Sequence, residues 1–211
     1  MSGSQMAGNA AEKNITPKST PKSMPKSAVQ KSNSIRPSSV IRRQAMMAVL
    51  AALLAVCSQI AVPVGAVPIT AQTLAVMLIA LLLPPRDAAL TVLLWVAAGG
   101  IGLPFFANFK GGFGVLFAPT GGYIYGFIPA ALLISYIAGR GFSLLRGVLG
   151  CAAGLLLVYL GGALQLQALL DLDSYTAAFL LGAVPYIFFE PIKVAAAVWV
   201  ARMIKKRGLP L

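Results

Sequence analysis

From Arg42 almost to the C-terminus, apolar residues run in blocks separated by short breaks of proline, glycine and charge. Roughly 20 apolar residues cross a bilayer as a helix, so the breaks predict spans near 42–61, 69–84, 87–102, 120–139, 144–164 and 185–205. The first starts after Arg42 and Arg43 and stops before Pro63. The second ends at Pro84 and Pro85, which cannot continue a helix. Residues 103–119 are rich in Gly, Phe and Pro and read as a loop. The last apolar region, from about 174 to 205, is too long for one simple span, and Pro185 and Pro191 interrupt it. An outer hairpin or short helical piece is expected over 165–184, with the final span starting between the two prolines. The predicted fold is all-α: an integral membrane protein of six transmembrane helices occupying 42–206.

Composition agrees with that pattern. The chain of 211 residues is 58% apolar and 10% charged, with mean hydropathy +0.84, far from the roughly 25% charge of an ordinary soluble domain. Between Arg43 and Arg86 the only ionisable side chain is Cys57, and between Arg146 and Asp171 only Cys151 and Tyr159 are ionisable. Such stretches need lipid as solvent. The cysteines read as small buried hydrophobes, and no disulfide framework is indicated. There is no histidine, which removes the commonest transition-metal ligand and general base; neither metal nor cofactor is expected.

Charge then sets orientation. Of the 17 basic residues, eight precede position 44, spaced among Ser, Pro and Thr. The net charge of +12 therefore does not indicate nucleic-acid binding. Residues 1–41 are expected to form a disordered basic tail, attracted to anionic membrane lipid. An organelle transit peptide has a similar composition, but this tail is rich in proline and lacks an amphipathic stripe. With the N-terminus inside, the inner segments hold Arg86, Arg140, Arg146 and the Arg202–Arg207 cluster, and the outer ones only Lys110. Both termini, including the short end 207–211, are thus predicted to be cytoplasmic at the cell membrane.

Three features are candidates for function. Glu190 and Lys193 lie at i,i+3, close enough to pair. Ionisable groups at membrane depth cost about 2.5–3.5 kcal/mol and usually face a cavity or partner. A purely structural ion pair is the alternative. Pro191 places Glu190 where a helix begins, a common setting for transport sites. The second feature is the loop 99–122, GGIGLPFFANFKGGFGVLFAPTGG. Its glycines permit close backbone approach, Phe105, Phe106, Phe109, Phe113 and Phe117 supply rings, and Asn108 and Lys110 supply polar groups. That mixture suits a lid over a small ligand; an interfacial loop with aromatic anchors has the same composition. Its glycines match no nucleotide-binding motif. The third is the small-residue stripe of the first span, Ala48 with Ala52 and Ala51 with Ala55, suited to an internal helix contact or a partner subunit. Thr70 and Gln72, at the outer end of the second span, are polar groups able to face the same cavity.

These residues resemble the BioY family, the biotin-binding S components of energy-coupling-factor (ECF) importers. GLPFFANFKGGFGVLFAPTGGYIYGF is similar to the family's signature loop running into the fourth span, and VPITAQTLAV to the start of its second. The family carries an aspartate three residues before the lysine of the last span; here Glu190 stands in that place. The resemblance covers about 42–206. It implies an outward-facing biotin pocket with Lys193, Glu190, Asn108, Gln72, Gly111, Gly112, Phe113, Thr120 and Tyr123 at the ligand. It also implies docking through the alanine stripe to a transmembrane coupling subunit with two ATPases. Lys193 or Lys110 can pair with biotin's carboxylate, and Asn108, Gln72 and Glu190 can satisfy its ureido group. Which polar group meets which end stays open at this point.

Two other readings remain. A transporter of the same fold for another small vitamin shares nearly every feature. An intramembrane enzyme needs a nucleophile with a base, or metal ligands, and one membrane-depth acid without histidine makes such a set hard to build. No ATP-binding motif is present, so the chain does not couple transport to ATP hydrolysis alone.

Overall fold

The prolines at positions 84 and 85 divide one apolar stretch into two helices. In the computed structural model, which describes residues 39–63, 67–139 and 143–207, α2 (Gln72–Leu82) ends at an extended Leu83, and Pro85 opens α3 (Pro85–Gly100). Proline is tolerated there because the first-turn amide has no intrahelical acceptor. Upstream, α1 (Ser39–Gln59) starts three residues earlier than the sequence suggested, so Arg42 and Arg43 lie within the helix. Most of the predicted tail lies outside the described residues. A minimal antiparallel hairpin, β1 (Ala61–Val62) with β2 (Ile69–Thr70), joins α1 to α2, a small exception to the all-α expectation.

The 99–122 region is a compact series of turns: a 3-10 turn at Ala107–Phe109 and the one-turn helix α4 (Phe113–Leu116). Then come α5 (Gly121–Ala138) and α6 (Leu144–Leu170). Nothing in Ala163–Leu170 breaks a helix, so α6 continues past the expected end near 164 for a length of ~40 Å. It stops where Asp171 adopts a left-handed conformation (φ 47°, ψ 42°). Ser174 then caps α7 (Tyr175–Ile187), accepting from the Ala177 amide at 3.2 Å. A 56° bend separates α7 from α8 (Glu190–Lys206). Pro185 is therefore inside α7 and does not start the last helix; Pro191, in the first turn of α8, occupies the position a helix start tolerates.

The chain is mostly helical. Among the described residues, three helices (Val40–Gln59, Gly121–Ala138, Leu144–Leu170) are long and apolar enough to cross a membrane, or four if the bent α7–α8 pair is one span. α2, with 11 residues, is nearly all buried and packs against α1, α3, α5 and α8. Cys57 and Cys151 are free thiols, the latter buried.

Glycine sets how closely α5 and α6 approach. A Cβ on Gly122 would sit 2.3 Å from the Gly161 carbonyl oxygen, and one on Gly126 3.0 Å from the Val158 Cα. At the far end Gly154 receives the Ile134 side chain, which a Cβ would meet at 2.4 Å. This backbone-on-backbone seam is the small-residue packing expected of helices in lipid. Gly122→Val is expected to lower the melting temperature of the detergent-purified protein by several degrees, through an overpacking cost of about 1–3 kcal/mol. Gly114→Ala, where an added Cβ meets nothing within 4 Å, should leave it unchanged; equal melting of both variants would dismiss the seam as a determinant of stability.

Candidate functional site

The polar core of the site is built where α8 starts against the β2–α2 junction. The Lys193 Nζ donates to the Thr70 carbonyl (2.8 Å), the Thr73 hydroxyl (3.1 Å) and Glu190 Oε1 (2.9 Å). Glu190 Oε1 also accepts from Thr73 (3.2 Å) and from the Tyr159 hydroxyl (3.1 Å). An ammonium has three N–H donors, and all three are engaged. The carboxylate is the reverse case: Oε2 is buried and accepts no hydrogen bond. A buried, unpaired acceptor costs about 1–3 kcal/mol or more when charged, so one end of this network is left open while the other is saturated.

These groups face a cavity of about 200 Å³ between the 103–120 segment and helices α2, α5, α6, α7 and α8. Aromatic rings form much of its wall. Tyr159 and Tyr186 stack at 6.4 Å, and Tyr123 meets Tyr159 edge-on at 6.3 Å. The Tyr123 ring fills the space that side chains on Gly162 and Gly182 would occupy, and its hydroxyl donates to the Gly182 carbonyl (3.1 Å). Across the cavity, Phe106 and Phe127 are backed by Trp95, which meets Phe106 edge-on at 5.2 Å. Phe106 can seat there because Gly99 leaves room for its ring.

Of the residues singled out in the sequence, Lys193, Glu190, Gln72, Asn108, Thr120 and Tyr123 line this cavity, as does Lys110. Gln72 does so with its amide already committed, donating to Ser58 (3.1 Å) and accepting from Thr70 (3.1 Å), which ties α1 to α2. Asn108 and Lys110 are exposed residues at the mouth. Gly111, Gly112 and Phe113 are outside the wall. Gly111 lets the loop close against the Leu103 carbonyl, 2.3 Å from where a Cβ would be, and Gly112, at φ 96°, donates its amide to the Gly99 carbonyl (2.7 Å). Both shape the loop. Phe113, Phe109 and Phe117 point outward, each about two-thirds exposed, so among the loop phenylalanines the enclosing role falls to Phe106. In α1, Ala48 and Ala52 are exposed whereas Ala51 and Ala55 are half-buried; the two alanine pairs face different surroundings.

Several contributors were not singled out in the sequence. Thr73, Tyr159 and Tyr186 look like ordinary apolar-helix residues until folding brings α2, α6 and α7 together. Gln59 is a second case. Its two amide N–H groups are shared among the Ala55, Pro104 and Phe106 carbonyls, and its oxygen accepts from the Phe109 amide (2.8 Å). This clamp holds Asn108 and Phe109 in left-handed conformations (φ 59° and 57°), which a bulky residue such as Phe rarely adopts. Asp87 is a third: wholly buried on α3, it pairs with Arg43 of α1. Its one sequence signal was its position in the first turn after a double proline.

Apolar helices with an internal, aromatic-walled cavity and a charged pair at its end define a membrane protein that holds a small ligand. The chain belongs to the BioY family, whose model matches residues 24–209. It is 37% identical over 158 residues, 75% of this chain and 92% of the relative, to the biotin transporter BioY of Thermotoga maritima. It is 38% identical to the probable biotin transporter BioY of Pyrococcus horikoshii, over 76% of this chain and 94% of that one. The fold is similar to the crystal structure of the S-component for biotin from an ECF-type ABC transporter, with TM-score 0.73 at 21% identity, over 79% of this chain and 92% of that one.

Gln59→Leu removes the three hydrogen bonds that tie α1 to the loop while keeping the side chain's bulk. Amide exchange at Phe109 and its neighbours should accelerate about tenfold, the effect of losing about 1.4 kcal/mol, with exchange in α5 and α6 unchanged. Unaltered exchange in the loop would show that the clamp does not hold it.

Proposed function

We propose that this chain is the membrane subunit that captures biotin for an ATP-driven importer. It is a multi-pass protein of the cell membrane whose six membrane helices, in the 42–206 domain, include α2 and α3 as short members. Both termini lie in the cytoplasm and the cavity mouth faces outward. Family membership and the biotin transporters among the relatives support the ligand. The observation that carries the reading at the residue level is the Glu190–Lys193 pair in the wall of an aromatic-lined cavity, with the second carboxylate oxygen left without a partner.

Biotin carries a ureido group with N–H donors, an apolar bicyclic body and a carboxylate. A ureido N–H satisfies Glu190 Oε2, removing the penalty of the unpaired acceptor. Lys193 has no spare donor, so its role is to orient Glu190 and stand beside it as counter-ion. The stacked Tyr159 and Tyr186, with Tyr123 and Phe106, enclose the rings. The carboxylate then extends to the mouth, where Asn108 and the Lys110 cation are available. Gln72 and Thr120 complete the wall, and Gly111, Gly112 and Phe113 act through the loop. A ligand of equal size lacking the ureido N–H leaves the acceptor unpaired, and discrimination against it is steep.

The exposed Ala48 and Ala52 face of α1 is the surface on which we place the ECF transmembrane coupling subunit, itself bound to two ATPases; Ala51 and Ala55 support it from the inner side. Membrane lipid covers the remaining apolar surface.

Labelled biotin should bind the detergent-purified chain saturably and be displaced by excess unlabelled biotin but not by other vitamins. Displacement by a different vitamin would move the chain to another ligand of the same fold. Lys193→Ala is expected to weaken biotin binding roughly thirtyfold or more, about 2 kcal/mol, because it leaves Glu190 without its counter-ion; unchanged affinity would take Lys193 out of the site. For topology, a Cys57→Ala/Cys151→Ala chain carrying Asp173→Cys should react with an impermeant maleimide in intact cells. The same background with Ser34→Cys should react only after permeabilisation, and the opposite pattern would invert the orientation.

A further inference from the structure

At the end of α8 away from the ligand cavity, Arg202, Lys205 and Lys206 join Ser143 and Leu144 of the α6 start around a second cavity, of about 390 Å³. About twelve residues of helix, roughly 18 Å, separate Lys205 from Lys193, so the two cavities are distinct. Among the described residues, none that lines it is acidic. Among the described residues the acids are Asp87, Asp171, Asp173 and Glu190. Asp87 is paired with Arg43 and Glu190 with Lys193, while Asp171 and Asp173 lie at the opposite end of α6.

Cations at the C-terminus of a helix are favoured by its dipole, which accounts for Lys205 and Lys206 on α8 taken alone. It does not account for where they converge. The start of α6 carries partial positive charge, and its Ser143 hydroxyl is already used by the Arg146 amide (3.2 Å). Positive charge from two helices is thus gathered in one concavity that no carboxylate lines among the described residues. The same two helices carry apolar side chains nearby in sequence: Leu145 and Trp199 are mostly exposed, and Trp199 and Met203 lie along α8 at helical spacing with Arg202 and Lys206.

We propose that this cavity binds a phosphate-bearing anion, held there as the headgroup of an anionic phospholipid whose acyl chains lie along Trp199, Met203 and Leu145. Inorganic phosphate shares the headgroup's chemistry but has no use for the apolar flank.

The full chain, purified in detergent and supplied with equal amounts of phosphatidylglycerol and phosphatidylcholine, should retain phosphatidylglycerol selectively by native mass spectrometry. Arg202→Gln/Lys206→Gln should lower that retention about thirtyfold, at about 1 kcal/mol for each of the two cations. Ser143→Asp, which keeps a capping side chain and adds a carboxylate to the cavity, should lower it as well. Biotin binding within twofold of the parent would certify the fold of each variant. Neutralising tail lysines, as in Lys18→Gln/Lys22→Gln/Lys26→Gln, should leave retention unchanged. Displacement of the lipid by millimolar inorganic phosphate, or retention of phosphate without lipid, would keep the anion site and assign it to a soluble source. Equal retention of both lipids, or loss in the tail variant with none in the cavity variants, would overturn the proposal.

Discussion

A carboxylate can be taken into the interior of an apolar bundle only if something holds its charge, and at the start of α8 that requirement organises the neighbourhood. Lys193 neutralises Glu190, but an ammonium carries three donors that must each be matched. The matches come from the Thr70 carbonyl, the Thr73 hydroxyl and Glu190 itself. The β1–β2 hairpin presents the first and α2 the second, while Tyr159 reaches across from α6 to the same carboxylate oxygen. Satisfying one ion pair therefore fixes the relative placement of α2, α6 and α8. The cavity is the space left between them.

The other side of the bundle answers a different constraint. Lipid offers helices no hydrophobic incentive to associate, so they gain by close contact of their backbones, and the glycines of α5 and α6 allow it. Tyr123, packed over Gly162 and Gly182, joins that rigid pair to α7 and presents its ring to the cavity. One wall of the site thus rests on van der Waals contact and the other on charge.

The helical stretches were legible from the sequence because apolar blocks and prolines are local signals. Pro84 and Pro85 marked the α2–α3 break, and Glu190 with Lys193 stood out as charges in an apolar region. The end of α6 was not legible: the region after position 164 lacks any breaker, and its stop depends on a left-handed Asp171. Nor could the loop phenylalanines be sorted in advance. Composition shows five rings, whereas only the room left by Gly99 selects Phe106 for the interior. Tyr159 and Tyr186 were hidden for the same reason, since their partners come from helices distant in sequence. The second cavity, between Leu144 and Arg202, likewise arises from residues far apart along the chain.

Gln59 sits at the last residue of α1, yet its amide is bonded to a segment more than forty positions downstream. The first helix and the loop over the cavity mouth therefore do not move as independent bodies. A tilt of α1 large enough to stretch those bonds drags the loop with it, and a ligand that stiffens the loop also narrows the range of angles open to α1. A force applied to the outer face of the first helix would thus be felt at the entrance of the cavity, with a single glutamine as the mechanical linkage.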